Sequence, residues 1–235
     1  MDITTETRIS DIATADPGTI RVFQQHQIDF CCGGKIPLAE ACALHGIEPE
    51  TLIAELNAAG KPDDEARAWE TLTSLVAHIQ ARYHEPLRAE LPRLSAMVAK
   101  VVLRHGDRLP ETLLPLRDTF DSFARELLSH MSREDAVLFP AIVEAEAAAS
   151  NGQEPSWPWI VGAIHVMERD HDSAGSALGT MRELTNDYTP PADACPTFRG
   201  LYHGLAELER DMHIHVHLEN NILFPRATGL AKNPQ

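Results

Sequence analysis

Two segments of this sequence place a histidine and a glutamate four residues apart in closely similar surroundings. His130-Met131-Ser132-Arg133-Glu134-Asp135-Ala136-Val137-Leu138-Phe139-Pro140 aligns without a gap on His215-Val216-His217-Leu218-Glu219-Asn220-Asn221-Ile222-Leu223-Phe224-Pro225, with His, Glu, Leu, Phe and Pro coinciding. On a helix this spacing puts an imidazole and a carboxylate one turn apart on a single face, so one helix presents a nitrogen and an oxygen donor together. A single His-x-x-x-Glu is weak evidence for a metal site. Two matched copies, both turned inward, are much stronger.

Two further histidines complete the set. His84 precedes His130 by 46 residues and His171 precedes His215 by 44, so the chain reads as two similar helical hairpins, each giving His, then His and Glu. The candidate metal ligands are therefore His84, His130, Glu134, His171, His215 and Glu219. If both carboxylates bridge, each of two metal ions receives two imidazole nitrogens and two carboxylate oxygens. A solvent-derived oxo or hydroxo bridge then adds a fifth ligand and leaves one position open. Mixed imidazole and carboxylate ligation with open positions favours two non-haem iron ions over a structural zinc, which prefers closed four-coordinate sites.

Four long helical patterns must position these donors, approximately 68–105, 111–149, 158–187 and 196–227. Each carries an apolar stripe in alternating steps of three and four, the seam of a helix packed nearly parallel to its neighbours. The second stripe reads Leu116, Phe120, Phe123, Leu127, His130, Glu134, Val137, Ala141, and the fourth ends on His215, Glu219, Ile222. The first passes through Ala77, Gln80 and His84, and the third through Met167 and His171. Ionisable residues in the middle of apolar seams cost several kcal/mol unless something in the interior satisfies them. The expected fold is all-α, an antiparallel four-helix bundle over 68–228. A small helical domain over 1–60, with short helices near 17–25, 37–44 and 49–57, precedes it, and a polar linker over 61–67 separates the two.

The remaining histidines lack this concerted placement. His78, His165, His213 and His217 fall off the seam and read as surface or ligand-supporting residues, and His26, His45 and His203 have no partner pattern. His105 shares a seam with His84 but stands 21 residues away, about 31 Å of helix, and reads as a C-terminal cap. Pro86 is expected to kink the first helix. Asp170, Asp172 and Asp211 are candidate acceptors for imidazole N–H groups, with solvated helix-face charge as the other reading. Tyr83 reads as a gate or as core filling.

Near the N-terminus Phe30-Cys31-Cys32-Gly33-Gly34-Lys35 stands between two short helices. Adjacent cysteines beside Lys35 and a helix start suggest favoured thiolate and redox or iron-transfer chemistry, against the plainer reading of one buried and one incidental thiol. Four cysteines in 235 residues do not make a disulfide framework. With 20 basic against 35 acidic residues, the net charge of -15 disfavours nucleic acid and anionic membrane surfaces. No apolar run approaches the ~18 residues of a spanning helix, and the first residues lack a signal-peptide pattern. The expectation is a cytoplasmic protein.

The chain resembles the iron–sulfur cluster repair family of di-iron proteins over nearly its whole length. The residues that carry the resemblance are Asp29-Phe30-Cys31-Cys32-Gly33-Gly34-Lys35, Tyr83-His84, Glu168-x-x-His171-Asp172-x-Ala174-Gly175 and the run 218–227, Leu-Glu-Asn-Asn-Ile-Leu-Phe-Pro-Arg-Ala. The family's iron ligands map onto the same six residues. Where the family usually has Glu-His-Asp, this chain has Asp170-His171-Asp172. The resemblance implies a hemerythrin-like bundle and a repair or iron-donor protein, rather than a conventional enzyme, that restores clusters damaged by oxidative or nitrosative stress. Damaged iron–sulfur proteins are the implied partners, and a homodimer stays open. The alternatives are a hemerythrin-like carrier or sensor of oxygen or nitric oxide, and nitric oxide reduction at the irons.

Overall fold

The computed structural model describes residues 1–59, 69–153 and 159–232, with side chains described as far as residue 230. The expected linker at 61–67, the start of the first long pattern at residue 68 and the start of the third at residue 158 lie outside the described residues. Among the described residues there is no strand, only an isolated antiparallel bridge between Arg8 and Pro37. The chain divides into two compact units, Met1–Ala77 with Ala141–Gly162 and His213–Gln235, and His78–Pro140 with Ala163–Met212.

In the first unit the N-terminal helices are α1 (Ile9–Ala15), α2 (Ile20–Gln25), α3 (Leu38–His45) and α4 (Pro49–Ala58), with a 3-10 turn at Pro17–Thr19 before α2. Helix α1 is additional to the three expected, its Ile9, Ile12 and Ala13 hidden in a short polar-looking stretch. Asp16 accepts the Gly18 N–H at the start of the 3-10 turn, Pro49 occupies the first turn of α4, and Gly46 ends α3 in the left-handed conformation at φ 66°. These elements enclose a core around Ile12, Phe23, Phe30, Leu38 and Leu52, all fully buried.

Four long helices follow. Helix α5 (72–105) joins Leu72–Ile79, a π turn Gln80–His84 and Glu85–His105. Helix α6 (110–150) joins Pro110–Arg133, a π turn Glu134–Leu138 and Phe139–Ser150. Helix α7 is Trp159–Leu184. Helix α8 (196–232) joins Pro196–Leu218, a π turn Glu219–Leu223 and Phe224–Lys232. Within the second unit these segments close a ring. The α5–α6 hairpin turns over the short loop 106–109. His171 of α7 meets His130 of α6 at 3.0 Å, Arg182 of α7 pairs with the buried Glu209 of α8, and Gly204 of α8 sits against Leu94 of α5. A Cβ on Gly204 would stand 2.7 Å from Leu94 Cδ2, so a larger residue there would oblige the end of the Leu94 side chain to shift.

Each π turn ends two residues before a proline. The wide hydrogen bonds run from the N–H of Glu85, Phe139 and Phe224 to the carbonyls of Gln80, Glu134 and Glu219, and the next residues are Pro86, Pro140 and Pro225. A proline lacks an N–H and its ring clashes with the carbonyl four residues back. Widening the preceding turn absorbs both defects, so a π turn stands where a kink was expected at Pro86. The extra residue also slips the apolar seam by one place. Val137, expected inside, is 54% exposed while Leu138 is buried; Leu223 rather than Ile222 is fully buried; and Ala77 is exposed while Val76 and Ile79 are buried.

The start of α5 is held by Glu146 of α6, in the first unit. Its carboxylate accepts the N–H groups of Leu72 at 2.6 Å and Thr73 at 2.8 Å and the Thr73 hydroxyl at 2.7 Å. Burial works to raise this carboxyl, but the bonds from Leu72 and Thr73 outweigh it and hold it below its ordinary value. A depressed carboxyl contributes stability above its unfolded pKa of about 4.3 and loses it as pH falls through the folded value. Glu146→Ala should therefore cost about 1 kcal/mol in thermal or urea unfolding at pH 7, with the difference from the parent chain shrinking as pH falls through the lowered value of this carboxyl.

Candidate metal centre

Two of the three π turns contribute to one cluster in the second unit. His84 is the last residue of the α5 π turn and Glu134 the first of the α6 π turn. His84 Nδ1 lies 2.9 Å from Asp135 Oδ1. Asp135 is fixed in turn by Gln80 Nε2 at 2.9 Å and by an Arg88 guanidinium nitrogen at 2.5 Å. An ionised carboxylate only accepts, so Nδ1 carries the hydrogen and Nε2 turns a lone pair inward. His130 is arranged in the same way. Its Nδ1 lies 3.2 Å from Asp170 Oδ2, which also accepts from Arg133 at 2.7 Å. Burial works to raise the Asp135 and Asp170 carboxyls, yet hydrogen bonds from Gln80, Arg88 and His84, and from His130 and Arg133, hold them below the usual range.

Glu134 is fully buried. Its Oε2 is 3.5 Å from His84 Nε2 and 3.1 Å from His130 Nε2, yet neither carboxylate oxygen receives a hydrogen bond. The shorter distance is of hydrogen-bond length but not of hydrogen-bond geometry, as expected when the facing nitrogen has no hydrogen. His171 brings its Nε2 to 3.0 Å from His130 Nε2. One ligand atom each from His130, Glu134 and His171 lies within 4.8 Å of the others. The oxygens of a buried carboxylate that receives no hydrogen bond and the inward nitrogens of His84 and His130 converge there, an arrangement that a cation at the centre would stabilise. This donor set fits a metal ion.

The first unit holds the second His-Glu pair. His215 and Glu219 are fully buried, with His215 Nε2 3.0 Å from Glu219 Oε1, and Glu219 opens its own π turn as Glu134 does.

The cysteine loop lies against this part of α8. Asn221 Nδ2 donates to the Cys31 carbonyl at 3.1 Å, His217 Nδ1 lies 3.2 Å from the Phe30 carbonyl, and Asn220 Nδ2 is 3.9 Å from Cys32 Sγ. Asp29 folds back under the loop, accepting from the N–H groups of Cys31, Cys32 and Gly33 at 2.8, 3.0 and 2.9 Å and from the Cys31 thiol at 3.1 Å. A Cβ on Gly34 would meet the Phe30 carbonyl oxygen at 2.5 Å, which explains that glycine. The hydrogen bond with Cys32, burial and the Asp29 charge push the Cys31 thiol well above its ordinary value. The expectation that Lys35 and a helix start favour thiolate is therefore corrected for Cys31. All four cysteines are free thiols, with Cys31 and Cys32 Sγ 3.9 Å apart.

Residues 5–60 match the ScdA_N domain, a domain of unknown function, and residues 75–227 match the hemerythrin HHE cation binding domain. Over 225 residues, 94% of this chain and 96% of the relative, the chain is 40% identical to the iron–sulfur cluster repair protein YtfE of Edwardsiella ictaluri. It is 39% identical to the iron–sulfur cluster repair protein ScdA of Staphylococcus haemolyticus over 94% of this chain and 98% of that one. The YtfE protein of Yersinia pseudotuberculosis is 38% identical over 92% and 94%. The chain belongs to the iron–sulfur cluster repair protein family. The six candidate ligands of this repair-family chain lie inside the hemerythrin match, and Cys31 and Cys32 lie inside the N-terminal one.

Several of its other expectations resolve differently. Asp170 is an imidazole partner, but Asp211 pairs with Arg82 at 3.5 Å and Asp172 is exposed. Asp135, Arg88, Gln80 and Arg133 were not anticipated as supports. The available signal was an arginine one turn after a ligand, Arg88 after His84 and Arg133 after His130. His217 is 1% exposed and not a surface residue; burial lowers its pKa to about 4 against the opposing bond to Phe30. His26 pairs with Glu55 at 2.6 Å. His105 tilts against Phe198 at 5.3 Å. Tyr83 is buried, and burial pushes its hydroxyl up to about 12.

Proposed function

We propose that this chain holds two non-haem iron ions on His84, His130, Glu134, His171, His215 and Glu219, and restores iron to damaged iron–sulfur clusters in other proteins. The observation that carries the reading is Glu134, a fully buried carboxylate without a hydrogen bond, faced by the inward nitrogens of His84 and His130. His215 and Glu219 repeat the spacing and the π turn of His130 and Glu134, which supports their supplying the remaining donors. When bound, such a pair of irons supplies Lewis acidity, redox capacity and a store of the metal itself. The chain's own part is to orient imidazoles through Asp135 and Asp170 and to exclude water around the carboxylates.

The names of the relatives support iron–sulfur proteins as clients, and the loop carrying Cys31 and Cys32 is the proposed delivery element. The cysteine accessible for such a role is Cys32, which is partly exposed, while Cys31 is buried and bound to Asp29. Among the described residues no helix is long and apolar enough to cross a membrane, and we place the protein in the cytoplasm with its clients.

The test incubates the iron-loaded chain with a [4Fe–4S] hydratase that has lost iron, following return of hydratase activity and iron lost from the chain. Repair predicts both in parallel. Reversible gas binding without rescue identifies a carrier, and turnover of nitric oxide to nitrous oxide identifies a reductase; either outcome without rescue overturns the proposal. Replacing Cys31 and Cys32 together with serine should leave the iron content unchanged and slow rescue. Unchanged rescue removes the cysteines from delivery.

A further inference from the structure

The two ends of the metal cluster in the second unit differ in what surrounds them. His84 is fully buried; the Phe139 ring stacks on it at 5.5 Å and 16°, and Asp135 with Arg88 closes its outer edge. His130 and His171 instead line a cavity of about 580 Å³ between α6 and α7. Its floor is apolar, from the buried Phe123 and Leu127 to Ala174 and Ala177, and its walls are polar, with Ser122, Ser129 and Ser173. Such a volume suits a compact organic molecule.

The charges in this groove are arranged unequally. Arg133 is committed to Asp170, the carboxylate that orients His130, and Glu126 accepts from the Ser122 hydroxyl at 2.8 Å. Arg125 is exposed and makes one long bond, 3.5 Å to the Asp121 carbonyl. Among the described residues it forms no ion pair. In a chain of net charge -15, an uncommitted guanidinium beside an apolar floor, at a groove ending on two metal-facing imidazoles, is a place for an anion with an organic body.

The geometry points to a binding groove for small anionic chelating molecules, through which iron enters and leaves the position held by His130 and His171. This rests on the proposed iron reading and deepens it. The ion bound by His130 and His171 is the exchangeable one, and the ion bound by His84 is retained. On this route His130 and His171 would give up an ion to the donor atoms of an incoming chelator, whose negative charge Arg125 would hold.

The test strips iron from the full-length, reduced, iron-loaded chain without oxygen, using two ferrous chelators: ferrozine, which is anionic, and 2,2′-bipyridine, which is neutral. Ala177→Trp fills the groove from its α7 side and Ser122→Trp from its α6 side. Leu103→Trp, at a residue 88% exposed on α5, is the control. Each filling variant that retains iron and helicity should slow both chelators by about tenfold or more, and the control should not, as expected when a pocket of this size is plugged. Arg125→Glu should slow ferrozine several-fold at low salt and leave bipyridine unchanged, with the difference vanishing near 1 M salt, where screening acts within about 3 Å. Stripping in two phases, with only the faster one sensitive to the fillings, is the expected form. Unchanged stripping in both filled variants overturns the route, and an Arg125→Glu variant without chelator selectivity overturns the anion assignment. A parent chain that holds no iron overturns the proposed function itself, whereas a loaded chain indifferent to the fillings overturns this inference alone.

Discussion

Glu134→Leu should abolish iron binding at the cluster and make the metal-free protein more stable. The two effects have the same cause. In the metal-free chain Glu134 is a fully buried carboxylate to which nothing donates, and an apolar side chain of similar volume there removes the penalty of a buried unsatisfied group, about 1–3 kcal/mol. For a chain of this size each kcal/mol corresponds to roughly 2–4 °C in Tm. With metal bound the same carboxylate is an anionic ligand whose loss nothing nearby replaces. Calorimetry of the metal-free variant and iron analysis of the variant expressed in iron-rich medium check both halves. A variant that keeps its iron, or a metal-free variant that melts well below the parent, contradicts the assignment of Glu134.

The second large effect is expected at a residue that touches no metal. Asp135→Asn should weaken iron binding by roughly 10–100-fold, the usual consequence of removing the partner that orients a ligating imidazole. An asparagine can offer its NH2 group to His84 Nδ1, which moves the ring hydrogen to Nε2 and removes the inward lone pair. Asp170→Asn acts on His130 in the same way but should cost less. Asp170 stands farther from its histidine, 3.2 against 2.9 Å, and its side chain is 37% exposed against 21% for Asp135. Both carboxyls are held below their ordinary value, so their support is complete above about pH 4 and is lost as pH falls through the lowered values. Chelator competition at pH 7 measures the affinities. Equal and unchanged affinities in the two variants would reduce both aspartates to solvated surface charge.

Much of this arrangement is legible in the sequence because few residue patterns leave charge inside an apolar seam. The near-repeat around His130 and His215, with one more histidine in each remaining seam, identifies four long helices and the inward direction of their donors. A fixed helical period misplaces what comes next. Val137 and Ala77 lie outside and Ile222 gives way to Leu223, because a π turn adds a residue beside His84, at Glu134 and at Glu219. The prolines at 86, 140 and 225 accompany those turns, but a proline alone does not announce one, since Pro92 and Pro115 lie inside the same helices without a π turn. The supports of the imidazoles are less accessible to such reading: Asp135 meets His84 across 51 residues of chain. For Cys31 the charge that matters is Asp29, folded back beneath the thiol, rather than Lys35 further along.

The most direct measurement is the iron content of the freshly purified full-length chain, determined together with its protein concentration by amino-acid analysis. A paired centre predicts two iron ions per chain, and none in a variant lacking both Glu134 and Glu219. One firmly bound ion per chain, another metal in iron's place, or full occupancy in the doubly substituted variant would contradict the centre proposed for these helices.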